Sequence, residues 1–324
     1  MLGKGLVLIG LICTLTLTAC AKATNTSVPS PPPGPQVIPT PTTSAIQQHP
    51  TAMTTSHQTK GVVVGSVVNL YSQPSKAVDV VTQATLGTEL SIWESRDGWY
   101  YVRMPDQYQG WIEASQVRVY AEGERSYASA GQVAEVRNLL AFLYHEPDVT
   151  AHAPALQVTI GTRMEVVEDR GDWVTVVLPD RAVRWIQKGD VTIAPADAPK
   201  PRGSGLDLVE TAKRFLGLPY QWGGCTPLGI DCSGFVQLVY RLNGISLLRD
   251  ADIQYTQPNL QPVARENLQP GDLVFFGQGR VSHVGMYIGN GEFIHATTHE
   301  RPIVQISRLD EPYWVSLYQG ARRP

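Results

Sequence analysis

The sequence has no long run of lysine or arginine, and 26 basic against 29 acidic residues leave a net charge of −3 and a pI near 6.2. That balance excludes the basic stripe with which proteins track phosphate backbones, so no nucleic-acid partner is expected. There is also no apolar run of the roughly 20 residues that a membrane-spanning helix needs. The longest candidate, Gly5 to Ala19, stops short of that and has the length of a signal-peptide core behind Lys4. Charged residues are scarce, at 17%, and the 24 prolines are partly concentrated in one stretch. Both features suit an exported, tethered protein. From Ala21 to about Thr59 the chain is Thr, Ser, Pro, Ala and Gln, which bury too little apolar surface to offset chain entropy and read as a disordered tether. A length of 324 residues leaves room for two or three domains.

The apolar run ends in Leu17-Thr18-Ala19-Cys20, which resembles the lipobox of bacterial lipoproteins. The resemblance implies a signal peptide over 1–19, lipidation of Cys20, a tether over 20–60 and an extracytoplasmic, membrane-anchored chain. The alternative is an ordinary signal peptide with a chance cysteine. Each buried acyl methylene would contribute about 0.8 kcal/mol of membrane affinity. Of four cysteines, Cys13 leaves with the signal peptide, so Cys225 and Cys232 remain beyond the tether. In an oxidising compartment such a pair can form a disulfide, the alternative to a reactive thiol at Cys232.

Beyond the tether the sequence repeats itself at an offset of about 74 residues. Leu70-Tyr71-Ser72-Gln73-Pro74 corresponds to Leu143-Tyr144-His145-Glu146-Pro147, Asp97-Gly98-Trp99 to Gly171-Asp172-Trp173, and Gly110-Trp111-Ile112 to Arg184-Trp185-Ile186. Short alternating runs between turn signals predict two small antiparallel barrels, over 61–121 and 130–195. They resemble bacterial SH3-like modules. Trp99, Trp111, Trp173 and Trp185 are expected in the barrel cores, with a ligand platform as the alternative. The Pro-, Ala- and Gly-rich stretch from Ile193 to Gly205 reads as a linker to a last domain over 206–324.

In that domain Leu206–Leu216 has helical spacing, and Gly217 and Pro219 stop it. Cys232, Phe235/Val236, Val239 and Leu242 share one stripe, which puts the cysteine on the inward face of a helix's first turn. Unpaired amides and the positive helix end there are expected to lower the thiol pKa, and a backbone N–H could help hold an oxyanion. A base is expected about fifty residues on, at His283 in the alternating run Val281–Ile288. His295, in Glu292–Ala296, would orient it if both histidines face the same side. A two-residue Asn290-Gly291 turn alone would pair His295 with Met286 and put the histidines on opposite faces. A three-residue loop with a bulge at Gly291 pairs His295 with Gly285 instead, and is therefore expected. His49, His57, His145, His152 and His299 lie outside this constellation.

Tyr220-x-Trp222-Gly223-Gly224, Asp231-Cys232-Ser233-Gly234-Phe235, Pro270-Gly271-Asp272-Leu273, His283-Val284-Gly285 and Ile294-His295-Ala296 look like the NlpC-type papain-like peptidases, in the family's order. The resemblance implies an α+β papain-like domain preceded by two small all-β SH3-like barrels, and hydrolysis of murein stem peptides or peptidoglycan. It implies no metal, no cofactor and no required protein partner. Cys232 would be the nucleophile, His283 the base, His295 its orienting partner and Tyr220 a hydroxyl near the oxyanion. Together with the segment Arg249–Gln254, the arrangement resembles the γ-D-glutamyl-diamino-acid endopeptidases, which require a free L-Ala amine. By that resemblance Asp231 would pair with the ammonium, Ser233 and Trp222 would line its pocket, Asp250 would lie beside the D-Glu subsite, and Tyr108 of the first module would contribute. Rival readings are an endopeptidase acting on intact wall with the modules as anchors, a non-catalytic wall-binding lipoprotein, and a lipid-directed acyltransferase of the same fold superfamily, for which no supporting apolar segment lies near the site.

Overall fold

The computed structural model describes residues 59–324. The proposed signal peptide, Cys20 and most of the tether lie outside the described residues.

Two seven-stranded antiparallel sheets come first. One comprises β1 (Thr59–Val63), β2 (Val67–Tyr71), β3 (Val80–Thr85), β4 (Glu89–Arg96), β5 (Trp99–Arg103), β6 (Gln109–Glu113) and β7 (Val117–Val119). The other comprises β8 (Gln132–Val136), β9 (Leu140–Tyr144), β10 (Leu156–Thr159), β11 (Arg163–Arg170), β12 (Trp173–Val177), β13 (Val183–Gln187) and β14 (Val191–Pro195). Their strand orders, β3-β2-β6-β5-β4-β1-β7 and β10-β9-β13-β12-β11-β8-β14, are the same order moved along by seven strands, so the sequence repeat is a repeat of topology. A two-residue turn joins β4 to β5, with Arg96 opposite Trp99. Asp97 (φ 47°) and Gly98 (φ 83°) occupy it, the positive-φ pair that matches the strand twist.

The module cores are aliphatic. Val63, Leu70, Val102 and Ile112 in the first and Leu143, Val174, Val176 and Ile186 in the second are fully buried. The tryptophans depart from expectation: Trp111 is buried, but Trp99, Trp173 and Trp185 are half-exposed and stand outside these cores. Trp99 and Trp173 instead pack edge-on against Tyr71 and Tyr144 at 5.6 and 5.5 Å.

The last domain comprises α1 (Gly205–Lys213), the short pair β15 (Cys225–Thr226) and β16 (Gly229–Ile230), α2 (Cys232–Leu242), α3 (Ala251–Thr256), β17 (Gln261–Val263), β18 (Leu273–Phe276), β19 (His283–Gly289), β20 (Glu292–Thr297), β21 (Ile303–Arg308), α4 (Pro312–Leu317) and β22 (Tyr318–Arg323). Its sheet runs β17-β22-β18-β19-β20-β21, and α2 packs across β19 and β20 with Phe235, Val236 and Val239 fully buried. This is the expected α+β arrangement. Ser204 caps α1 by accepting the Asp207 N–H, and the Asp207 carboxylate accepts the Ser204 N–H in return.

The first module docks directly on this domain. Gln83 on β3 accepts the Cys225 N–H (3.1 Å) and the Thr226 hydroxyl (3.3 Å), and its own amide donates to Asn69 (3.0 Å). Gly223 (φ 72°) lies so close to β3 that a Cβ there would meet the Val80 carbonyl oxygen at 2.3 Å, so no side chain fits without moving the module away.

Candidate active site

Asp231 caps α2, its Oδ1 accepting the Gly234 N–H at 2.7 Å, and this places Cys232 as the first helical residue with 8% of its surface exposed. The Cys232 sulfur lies against the backbone N–H groups of Ser233 and of Val284, the residue after His283. The nucleophile and the base strand are therefore in register. Cys225 and Cys232 are both free thiols.

His283 Nε2 is 2.7 Å from His295 Nδ1, and His295 Nε2 is 3.1 Å from Ser307 Oγ. The two histidines meet on one face, but through a different loop from the one expected. Gly289 pairs with Glu292 across a tight Asn290-Gly291 turn in which both residues have positive φ (55° and 77°). The register then slips between Tyr287 and Gly289, so Tyr287 faces Phe293 and Met286 faces Ile294. The extra residue is Ile288, not Gly291. A bulge is required, as the facing argument held, and it sits one step inside the strand. It brings His295 opposite Gly285, where an added Cβ would lie 3.1 Å from the His295 Cβ.

Burial pushes the Cys232 thiol up to about 12, with the Asp231 charge adding to the rise and the Val284 and Ser233 amides and Arg249 opposing it. The expected depression by the helix end is thus outweighed by desolvation. Burial likewise holds His283 down to about 4 against the pull of Asp231, and it holds His295 well below the ordinary histidine range. The resting site is a neutral thiol beside neutral imidazoles. Trp314 forms its wall, stacked on His283 (5.4 Å, 26°) and edge-on to His295. Tyr220 is half-buried and its pKa is raised, first by desolvation and then by the charge of Cys232 and Asp231.

One expectation needs correction. Asp231 is not open to a substrate ammonium, because Oδ1 also accepts from Arg249 Nη1 (3.0 Å) and Ser233 Oγ (3.2 Å), and Oδ2 accepts from Arg249 Nη2 (2.6 Å). Its charge is already compensated by a guanidinium that is only 2% exposed. Ser233, 5% exposed, belongs to the same network through Arg249 Nη1 at 2.8 Å. Trp222 is 56% exposed, on the rim. Asp250 and Tyr108 do come together: the Tyr108 hydroxyl lies 3.0 and 3.2 Å from the two Asp250 oxygens. Burial raises the pKa of both.

Sequence reasoning missed three contributors. Arg249 also donates from Nε to Thr82 of the first module (3.0 Å), so one buried side chain links that module to the residue before the nucleophile. Ser307 extends the histidine line. His299, expected to lie apart, stacks on Tyr313 at 3.8 Å and touches the same Trp314, and it is one cause of the lowered pKa of both other histidines. An arginine after Leu247-Leu248 and a serine in an alternating strand carry no local mark of these roles.

A buried cysteine opening a helix that packs on two neighbouring strands, each supplying one histidine of a hydrogen-bonded pair, defines a papain-like cysteine peptidase. The NlpC/P60 family profile matches residues 217–323, the bacterial dipeptidyl-peptidase SH3 domain profile residues 70–117, and the YKFC SH3b2 domain profile residues 136–193. The chain is 35% identical over 254 residues to a γ-D-glutamyl-L-lysine dipeptidyl-peptidase of Bacillus cereus, covering 75% of this chain and 74% of that one. It is 26% identical to dipeptidyl-peptidase 6 of Lysinibacillus sphaericus over 78% of this chain and 92% of that one. The crystal structure of an NlpC/P60 family protein from Bacillus cereus superposes with a TM-score of 0.73 at 30% identity, over 82% of this chain and 99% of that chain. This chain belongs to the NlpC/P60 family of cysteine peptidases.

Proposed function

We propose that the chain hydrolyses the bond between γ-D-glutamate and the diamino acid of murein stem peptides that carry a free N-terminal L-Ala. The observation that carries this reading is the Tyr108–Asp250 pair. A phenol from the first module and a carboxylate next to Arg249 meet in a mostly buried position, so the module builds one end of the cleft. Asp250 is the carboxylate there without an ion-pair partner among the described residues, whereas Asp231 is held by Arg249. A terminal ammonium is the cation it suits. The wall-anchor reading gives the first module no reason to bury polar groups against the catalytic domain.

The chemistry follows from the histidine line. With His295 Nε2–H donating to Ser307 and His295 Nδ1 accepting from His283 Nε2–H, His283 Nδ1 keeps its lone pair for the thiol proton. Cys232 attacks the γ-glutamyl carbonyl as its proton passes to His283. The oxyanion forms beside the N-terminal amides of α2 and the Tyr220 hydroxyl. The His283 imidazolium then protonates the departing amine of the diamino acid, and the resulting thioester is hydrolysed by water deprotonated by the same imidazole.

L-Ala-γ-D-Glu-diaminopimelate compared with its N-acetylated form tests the reading. Acetylation leaves the half-buried Asp250 facing a neutral amide, a loss of about 2–5 kcal/mol, so the acetylated peptide should be cut about 30-fold more slowly or worse. Equal rates would favour the intact-wall endopeptidase instead. Anchoring through a lipidated Cys20 is part of the proposal. Cys20→Ser should move the chain from the membrane fraction to the soluble one, and retention in the membrane would overturn it.

A further inference from the structure

The end of α2 opposite the nucleophile opens onto a second cavity that the peptidase reaction does not use. It has a volume of about 610 Å³ and lies between the second module, the linker after β14 and the C-terminal ends of α1 and α2. Arg241, nine residues along α2 from Cys232, lines it about 14 Å from the nucleophile. Arg137, Arg163, Lys200 and Arg214 line it as well, against a single carboxylate, Glu135. The chain as a whole carries −3, so this is a local reversal of sign. Lys200 and Glu135 pair with each other. Among the described residues none of the four arginines is in an ion pair.

Two of the arginines have a local reason to be there. Arg214 caps α1 and Arg241 lies in the last turn of α2, where cations complement the negative helix end. That account does not reach Arg137, just after β8, or Arg163, the first residue of β11. Two guanidiniums are held in place by carbonyls: Arg163 Nη2 donates to Ala196 O at 2.8 Å, and Arg214 Nη2 to Arg137 O at 2.7 Å. Their remaining N–H groups are left for a ligand. Val136, Ile160 and Leu242 add an apolar part to the lining. Arginine forks match phosphate oxygens bidentately, and an apolar lining suits a ligand with a carbon body.

We infer that this cavity binds a phosphate-ester anion, a ligand site separate from the peptide cleft and independent of which bond the enzyme cuts. The phosphate could be presented by an anionic lipid headgroup or by a soluble phosphate ester, and the test separates them. The Cys20→Ser chain, which has no acyl anchor, would be titrated with glycerol 3-phosphate, with vesicles of phosphatidylcholine and with vesicles of phosphatidylcholine containing phosphatidylglycerol. Saturable binding to glycerol 3-phosphate alone supports a soluble ester, and binding to the phosphatidylglycerol vesicles but not the neutral ones supports a headgroup. Either should weaken as salt is raised. Arg137→Gln with Arg241→Gln should lower the affinity at least about tenfold and leave peptide hydrolysis unchanged. Arg125→Gln with Arg170→Gln removes the same charge elsewhere and should have little effect. No binding to any probe at low salt, or equal losses in the two double variants, would overturn the site.

Discussion

Replacing Cys232 with alanine is expected to lower kcat/KM on L-Ala-γ-D-Glu-diaminopimelate by at least about 10⁴-fold, with the fold intact. The side chain is small and buried, and the helix cap at that point is made by Asp231 and the Gly234 N–H, so alanine leaves the local architecture in place. His283→Ala should cost a similar factor, because a thiol held near 12 by burial is not a nucleophile until its proton has somewhere to go. The neutral resting pair also fixes the pH profile. His283 must be unprotonated to act as base and is held down to about 4, so the acid limb of kcat/KM should lie near pH 4 rather than near 6.5. Stability moves in the same direction. Between 6.5 and about 4 the unfolded chain binds a proton at this histidine that the folded chain refuses, so stability falls as pH drops through that window. Initial rates taken before unfolding separate the two effects. A residual rate in Cys232→Ala above about one part in 10³ would remove the thiol from the mechanism.

What is legible in the sequence is what is written locally. Asp231-Cys232-Ser233-Gly234 followed by an apolar stripe encodes a capped helix with an inward cysteine, and the repeat of Leu-Tyr, Gly/Asp-Trp and Trp-Ile signals encodes two barrels of one topology. Strand alternation even imposed a bulge between His283 and His295. Its place at Ile288 was not legible, since Asn290-Gly291 fits either loop and nothing local marks which residue the strand pairing skips. The thiol pKa was misjudged because the helix-end effect is local and visible, whereas desolvation is a sum over the whole surroundings. Arg249 was illegible for the same reason. Its partners Thr82, Asp231 and Ser233 come from two domains, and nothing in their spacing announces that they meet.

Arg249→Met is therefore the substitution expected to damage the structure most, at about 3–5 kcal/mol of unfolding free energy. Methionine fills much of the same volume, so the effect is not chiefly a cavity. Its origin is that Asp231 keeps a buried negative charge and loses both guanidinium contacts, at 2.6 and 3.0 Å. The Thr82 hydroxyl and the Gly224 carbonyl lose a donor as well, which loosens the seam with the first module. Two consequences distinguish this from a general packing defect. Adding Asp231→Asn should recover part of the loss, because the amide still accepts the Gly234 N–H and no longer buries a charge, whereas two independent defects would add. The single variant should also lose selectivity against the N-acetylated peptide, since the seam that Arg249 ties down is the one that brings Tyr108 to Asp250. Urea denaturation of the three variants gives the coupling energy. Additive losses, with selectivity for the free amine unchanged, would reduce Arg249 to one more buried side chain.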